Sequence, residues 1–193
     1  MRILFTFLFI SFLSTQAFSQ KVVVNVNMQN KIASKNSDTI YYDFDKQLKW
    51  SDFTGTPEAN HFGGAVTSSG FAFALQSDYD GQTIALNINI YSFFLKSKSW
   101  KKQNINSDYH LLHEQHHFDI TRIGAENLMN ELKKASFTKA NYQLLIRSIF
   151  DKVYNENEFL QKKYDLETNH SRDLNKQEEW NEWIKDELSR IKR

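Results

Sequence analysis

The sequence predicts an α+β domain with its strands first and its helices last, and two observations predict it. Between Lys21 and Trp100, short runs are rich in β-branched and aromatic residues; Leu86, Asn87, Ile88, Asn89 and Ile90 alternate strictly, as a strand with one solvated face does. Beyond Trp100, Asn, Lys and Glu rise, Gly nearly vanishes, and apolar residues recur at helical spacing. Runs of strands followed by runs of helices pack as segregated layers, which is the α+β arrangement.

The elements follow in order. Arg2, an apolar run from Ile3 to Leu13 and a small-residue exit at Ala17 and Ser19 have the form of a secretory signal peptide over residues 1–19, cut before Gln20. The apolar run is too short for a membrane span of about 20 residues, so no membrane anchor is expected after cleavage. Residues 20–193 then form a single domain. Val22 to Val26, Thr39 to Phe44, Gly64 to Leu75 and Thr83 to Phe94 read as strands of a mainly antiparallel sheet. Gly55 to Pro57, Gly63 to Gly64 and Asp78 to Gly81 break or turn the chain between them. Ser107 or Asp108 caps a helix running to about Lys134, a break falls at Ala135 to Thr138, and a second helix runs from Lys139 toward Leu166. A third starts near Asn175, and its stripe of Trp180, Trp183, Ile184, Leu188 and Ile191 reads as a packing face.

Composition removes several function classes. The chain has 24 basic and 23 acidic residues and a net charge of +1, which offers no electrostatic basis for nucleic acid or an anionic membrane as partner. With no Cys there is neither a disulfide nor a thiolate nucleophile, and any metal site must use nitrogen and oxygen ligands.

The first helix carries His113, Glu114, Gln115, His116, His117, which matches H-E-x-x-H. Residues four apart stack on one helix face, so the His113 and His117 imidazoles can converge on one zinc ion. Glu114, one position round, is placed as general base toward a water activated at that ion. Gly124, two turns on, suggests that another element approaches the helix closely. His110 could line the same site and His116 points elsewhere; for both, a surface or core role is favoured.

A catalytic zinc takes three protein ligands and leaves one position open. The metzincin continuation is absent, because Ile120 and Ile123 stand where its Gly and third His belong. Counting back along an antiparallel helix hairpin places Glu156 and Glu158 opposite the motif, while Asp165 and His170 lie further along, at the end of the second helix. Tyr164, beside that stretch, is a candidate hydrogen-bond donor to an oxyanion, or else a packing aromatic.

Three sets of residues resemble a known family. Leu48, Lys49, Trp50, Ser51, Asp52 and Phe53 with Gly55 and Pro57; His113, Glu114, Gln115, His117, Phe118, Asp119 and Ile120; and Tyr164, Asp165, Thr168 and His170 look like the bacterial DUF922 family of predicted secreted zinc-dependent proteases. The resemblance spans most of the chain beyond residue 19. It implies a zincin-like fold, a zinc ion, a peptide or protein substrate, and the usual roles for His113, Glu114 and His117. It also favours the Tyr164 to His170 stretch for the third ligand. Imidazole suits zinc better than a lone carboxylate, so His170 is the expected ligand, with Asp165 as its hydrogen-bond partner or substitute. One departure is Ser171, where the family has Gly, which reaches a left-handed turn more easily.

Two other readings come from different chemistry. Glu114 to His117 and Glu167 to His170 form two Glu-x-x-His units, as in di-iron carboxylate bundles, but the two further helical Glu ligands are missing from a strand-rich first half. Alternatively, a non-enzymatic exported domain holds structural zinc, closed by His113, His117, His170 and Asp165.

Overall fold

The computed structural model describes residues 21–29 and 37–192; residues 1–19, which the sequence analysis reads as a signal peptide, lie outside them. Six strands precede three helices: β1 Lys21–Met28, β2 Thr39–Tyr41, β3 Ala65–Val66, β4 Ser69–Tyr79, β5 Thr83–Leu95, β6 Trp100–Lys101, α1 Asp108–Lys134, α2 Tyr142–Glu167 and α3 Leu174–Ile191. The α+β class and the order of its layers are as the sequence predicts.

The sheet is organised around β5, whose alternation buries Ile84, Leu86, Ile88, Ile90 and Phe94 on one face. β4 pairs antiparallel with it along one edge, from Ser69↔Phe94 to Tyr79↔Ile84. The other edge is shared: β1 runs parallel against Thr83 to Ile90, and β2 runs antiparallel against Phe93 to Leu95. The sheet is therefore mainly antiparallel, as expected, with one parallel pair, β1 against β5. Two consecutive strands reach the same edge of β5 from opposite directions, which no local pattern in β1 announces.

α1 lies across the buried face of this sheet. Ala125, Leu128 and Leu132 pack with the β5 residues, with Val26 and Phe71, and with Ile146 and Val153 of α2. The other flank of α1 is covered by α2 and α3 through Ile120, Tyr164, Trp180 and Ile184. Burial on both sides explains why the middle of α1 is buried from His113 to Ala125, His117 excepted, although many of these residues are polar. The α3 stripe is a packing face at Trp180, Ile184 and Leu188; Trp183 remains more exposed.

Three local features position the site. The expected strand from Gly64 to Leu75 is two strands, because the chain passes at Thr67 and Ser68 from the small β3–β6 sheet to the large one. Ser107 caps α1 by accepting a hydrogen bond from the His110 amide at 3.2 Å. Gly124 admits α2 and β4: a Cβ there would stand 2.6 Å from Asn157 Nδ2 and 2.8 Å from the Phe71 ring. Asn157 uses that proximity to donate to the Ile120 carbonyl at 2.8 Å.

Candidate metal centre

His113 and His117 project from adjacent turns of α1 toward Asp165 of α2. Each Nε2 lies 3.2 Å from Asp165 Oδ1, and His113, His117 and Asp165 form a compact set of possible ligand atoms. The opposite ring nitrogens are held by carboxamides. His113 Nδ1 meets Gln177 Oε1 at 2.9 Å, and His117 Nδ1 meets Gln161 Oε1 at 2.6 Å.

The orientation of those amides follows from their other bonds. Gln161 Nε2 donates to the His117 carbonyl at 2.9 Å, and Gln177 Nε2 donates to the Tyr164 hydroxyl at 2.7 Å and to Asn181 Oδ1 at 2.9 Å. Both Oε1 atoms are therefore acceptors, both Nδ1 atoms carry protons, and the neutral rings present Nε2 lone pairs to a carboxylate oxygen. Three lone pairs converging at 3.2 Å repel one another unless a cation sits among them. That cation is a proton or a metal ion.

The spacing suits zinc. Two ligand atoms each about 2.0 to 2.1 Å from zinc in tetrahedral geometry stand about 3.3 Å apart, close to the 3.2 Å found twice here. Two nitrogens and one oxygen are also a donor set that zinc accepts, and the buried amides supply the outer hydrogen bonds that such sites use.

Without metal, a proton fills the role. Burial acts to lower the His117 pKa, but the hydrogen bond and charge of Asp165, with the charge of Glu114, outweigh it and push it up to about 9. Burial acts to raise the Asp165 pKa, but bonds to His113 and His117 hold its carboxyl well below the usual carboxylate range.

The site opens onto a cavity of about 490 Å³ between α1, α2 and the segment around β3. Glu114 lines it and is only 6% exposed. The Thr67 hydroxyl, at the crossover between the two sheets, stands 2.7 Å from Glu114 Oε2 and 3.0 Å from its backbone carbonyl. A carboxylate held by one oxygen and facing a cavity beside three groups that could hold a metal ion is placed for proton transfer.

No protein-family model, curated protein or solved structure matches this chain.

The predicted residues fall into distinct places. His113, Glu114 and His117 come together as expected. His170 reaches the site, with Nδ1 also 3.2 Å from Asp165 Oδ1, but it lies outside the compact set; Asp165, expected as its partner or substitute, is the third member of that set. His170 sits in a turn in which Asn169, His170 and Ser171 all have positive φ, of 48°, 52° and 65°. Ser171 thus adopts the left-handed conformation that a Gly reaches more cheaply.

Tyr164 is fully buried between α1 and α3, its ring stacked on His113 at 4.6 Å, and its hydroxyl accepts from Gln177. It does not line the cavity, so its position is that of the packing aromatic and not of an oxyanion donor. Glu156 is exposed and paired with Lys152, and Glu158 stands about two helical turns before Asp165. The hairpin count fell short because α2 begins at Tyr142 rather than Lys139, which sets Gln161 against His117 and Asp165 against His113.

His110 bonds Ser107 at the α1 cap and lines the cavity. His116 faces the other flank of α1, between Asp119 Oδ2 at 2.9 Å and Asn181 Oδ1 at 3.0 Å. Glu167 is bound by Trp180 and Lys163, so the second Glu-x-x-His unit does not contribute its carboxylate to the cluster.

Thr67, Gln161 and Gln177 bond Glu114, His117 and His113 respectively, and sequence reasoning missed them. Gln161 and Asp165 share the i, i+4 spacing of His113 and His117, a signal that acquires meaning once the two helices are known to be antiparallel. For Thr67 and Gln177, which reach the site from 47 and 64 residues away, the sequence carries no signal.

Proposed function

We propose that this protein is an exported zinc-dependent hydrolase, with a peptide bond as its target. The observation that carries the reading is the convergence of two Nδ1-protonated imidazoles and a carboxylate on one point, beside a buried Glu114 that faces a cavity. His113, His117 and Asp165 would hold the ion. Bound there, zinc would polarise a substrate carbonyl and bring the pKa of the attacking water down to about 7.

The chain's own residues supply the rest. Glu114 takes the proton of the attacking water as the new C–O bond forms, then delivers it to the departing amine nitrogen as the C–N bond breaks. Thr67 holds Oε2 and so fixes the carboxylate's rotamer. Gln161 and Gln177 keep both ligand rings in the tautomer with Nε2 unprotonated. Tyr164 packs under His113 and limits its tilt. The peptide target rests on the resemblance to the DUF922 family, and export rests on the pattern of residues 1–19. Among the described residues, no helix is long and apolar enough to cross a membrane.

The test is metal content together with turnover. Purified wild type is expected to carry one zinc per chain and to cleave members of a panel of unfolded proteins and peptides, and Glu114→Gln is expected to keep zinc and lose cleavage. Wild-type turnover by Glu114→Gln would remove it as the base. A second reading, a closed structural zinc, has one observation in its favour: His170 Nδ1 stands 3.2 Å from the same Asp165 oxygen. Cobalt substitution separates the two, since an open site shows a spectrum that responds to added anions and a four-ligand protein site does not.

A further inference from the structure

The cavity beside the metal centre has an uneven charge. Two carboxylates line it, Glu114 and Asp165, and both are engaged, the first by Thr67 and the second by imidazoles. Three permanent cations line it as well: Lys102, Lys162 and Arg172. A dication held by the centre would offset both carboxylates and leave the three side-chain charges uncompensated.

Lys102 is pinned, its Nζ donating to the His61 carbonyl at 2.5 Å. Lys162 and Arg172 are different. Every other Lys or Arg on α2 and α3 has an acidic partner within 4.0 Å: Arg147, Lys152, Lys163, Lys176, Lys185 and Arg190. Lys162 has none among the described residues, although Glu158 stands four residues before it in the favourable Glu-to-Lys orientation. It lines the cavity instead. Arg172, in the turn between α2 and α3, is exposed and likewise has no acidic partner among the described residues.

We propose that Lys162 and Arg172 form an anion subsite, and that the preferred substrate is a peptide carrying a carboxylate close to the scissile bond. The proposal rests on the hydrolase reading for the bond that is cut, but not for the binding it predicts. Arg offers a planar fork matched to a carboxylate, and Lys adds a mobile point charge. Both are solvent-exposed at the rim of a concave site, which focuses their positive potential.

The experiment uses zinc-loaded Glu114→Gln protein and heptapeptides that carry one Asp, or one Asn, at each position in turn, with the C-terminus amidated or free. Binding is read by fluorescence anisotropy. At low salt the best Asp peptide is expected to bind roughly tenfold more tightly than its Asn counterpart, with the advantage shrinking as salt is raised. Adding Lys162→Gln and Arg172→Gln should abolish the preference while leaving zinc content and the affinity for the Asn peptide unchanged. If the free C-terminus, rather than Asp, carries the advantage, the carboxylate recognised is terminal. Equal binding of all peptides, no binding, or a preference that survives both substitutions would overturn the proposal. Mass analysis of the same peptides with wild-type protein tests the hydrolase reading separately: acid-selective binding without cleavage sinks that reading and keeps the subsite, and cleavage without charge preference does the reverse.

Discussion

Metal binding should be coupled to the loss of one proton from His117. In the metal-free protein this imidazole titrates at about 9, raised from an ordinary value of 6.5, because Asp165 and Glu114 outweigh its burial. A ligand nitrogen must be deprotonated. At pH 7, about two units below that pKa, roughly one molecule in a hundred has a neutral His117, which is a penalty of about 2.7 kcal/mol on metal binding. Apparent zinc affinity should therefore rise about tenfold per pH unit from pH 7 to pH 9 and then level off. Calorimetry at pH 7 in buffers of different ionisation enthalpy should report about one proton released per zinc, with a chelator of known pH dependence giving the affinity. Asp165→Asn removes the main cause of the raised pKa, and imidazole NMR should find His117 of that variant titrating well below 9, with only the Glu114 charge and the Gln161 bond left to oppose burial. The stability of the metal-free protein follows the same linkage. The His117 contribution is complete below 6.5 and lost as pH rises through about 9; that of Asp165, whose pKa is depressed, is complete above 3.8 and lost only in strong acid. No proton release at pH 7, or zinc affinity that is flat between pH 7 and 9, would refute this account of the site.

Other outcomes follow from named contacts. Asp165→Ala should abolish stoichiometric zinc, as His113→Ala and His117→Ala should, whereas His170→Ala should weaken binding less; equilibrium dialysis against a chelator would expose the reverse order. Gln161→Leu removes the acceptor at His117 Nδ1, and the expected loss is roughly 10- to 100-fold in zinc affinity with the fold intact by circular dichroism. Gly124→Ala drives a methyl into Asn157 and Phe71, and urea denaturation should show a loss of about 1 to 3 kcal/mol from overpacking. An unchanged midpoint would mean that α2 does not approach α1 as closely as described.

The helix bearing His113, Glu114 and His117 was legible because its information is local. Ser107 supplies the cap, the spacing of four stacks the two imidazoles, and the position between them places the carboxylate beside the same face. The strict alternation of Leu86 to Ile90 was equally legible, since it is the pleat itself. The parallel pairing of β1 was not, because a strand's own side chains do not encode which edge, or which direction, its hydrogen bonds will take.

The division between His170 and Asp165 shows where sequence reasoning stops. Both residues were candidates, and the chemistry of zinc ranks imidazole first. What decides between them is the offset of α2 against α1, set by the length of the turn before Tyr142 and by the fit of Asn157 over Gly124. One turn of slip would replace Asp165 with another residue. By itself, then, the sequence determined the class of fold, the order of its layers and the placing of His113, Glu114 and His117 on one helical turn, because those depend on periodicities of two and 3.6 residues. Only the tertiary structure decided that Asp165 faces both imidazoles, that Gln161, Gln177 and Thr67 hold His117, His113 and Glu114, and that Tyr164 is buried. Those contacts join residues tens of positions apart, and they exist only once packing has fixed how the helices sit on one another.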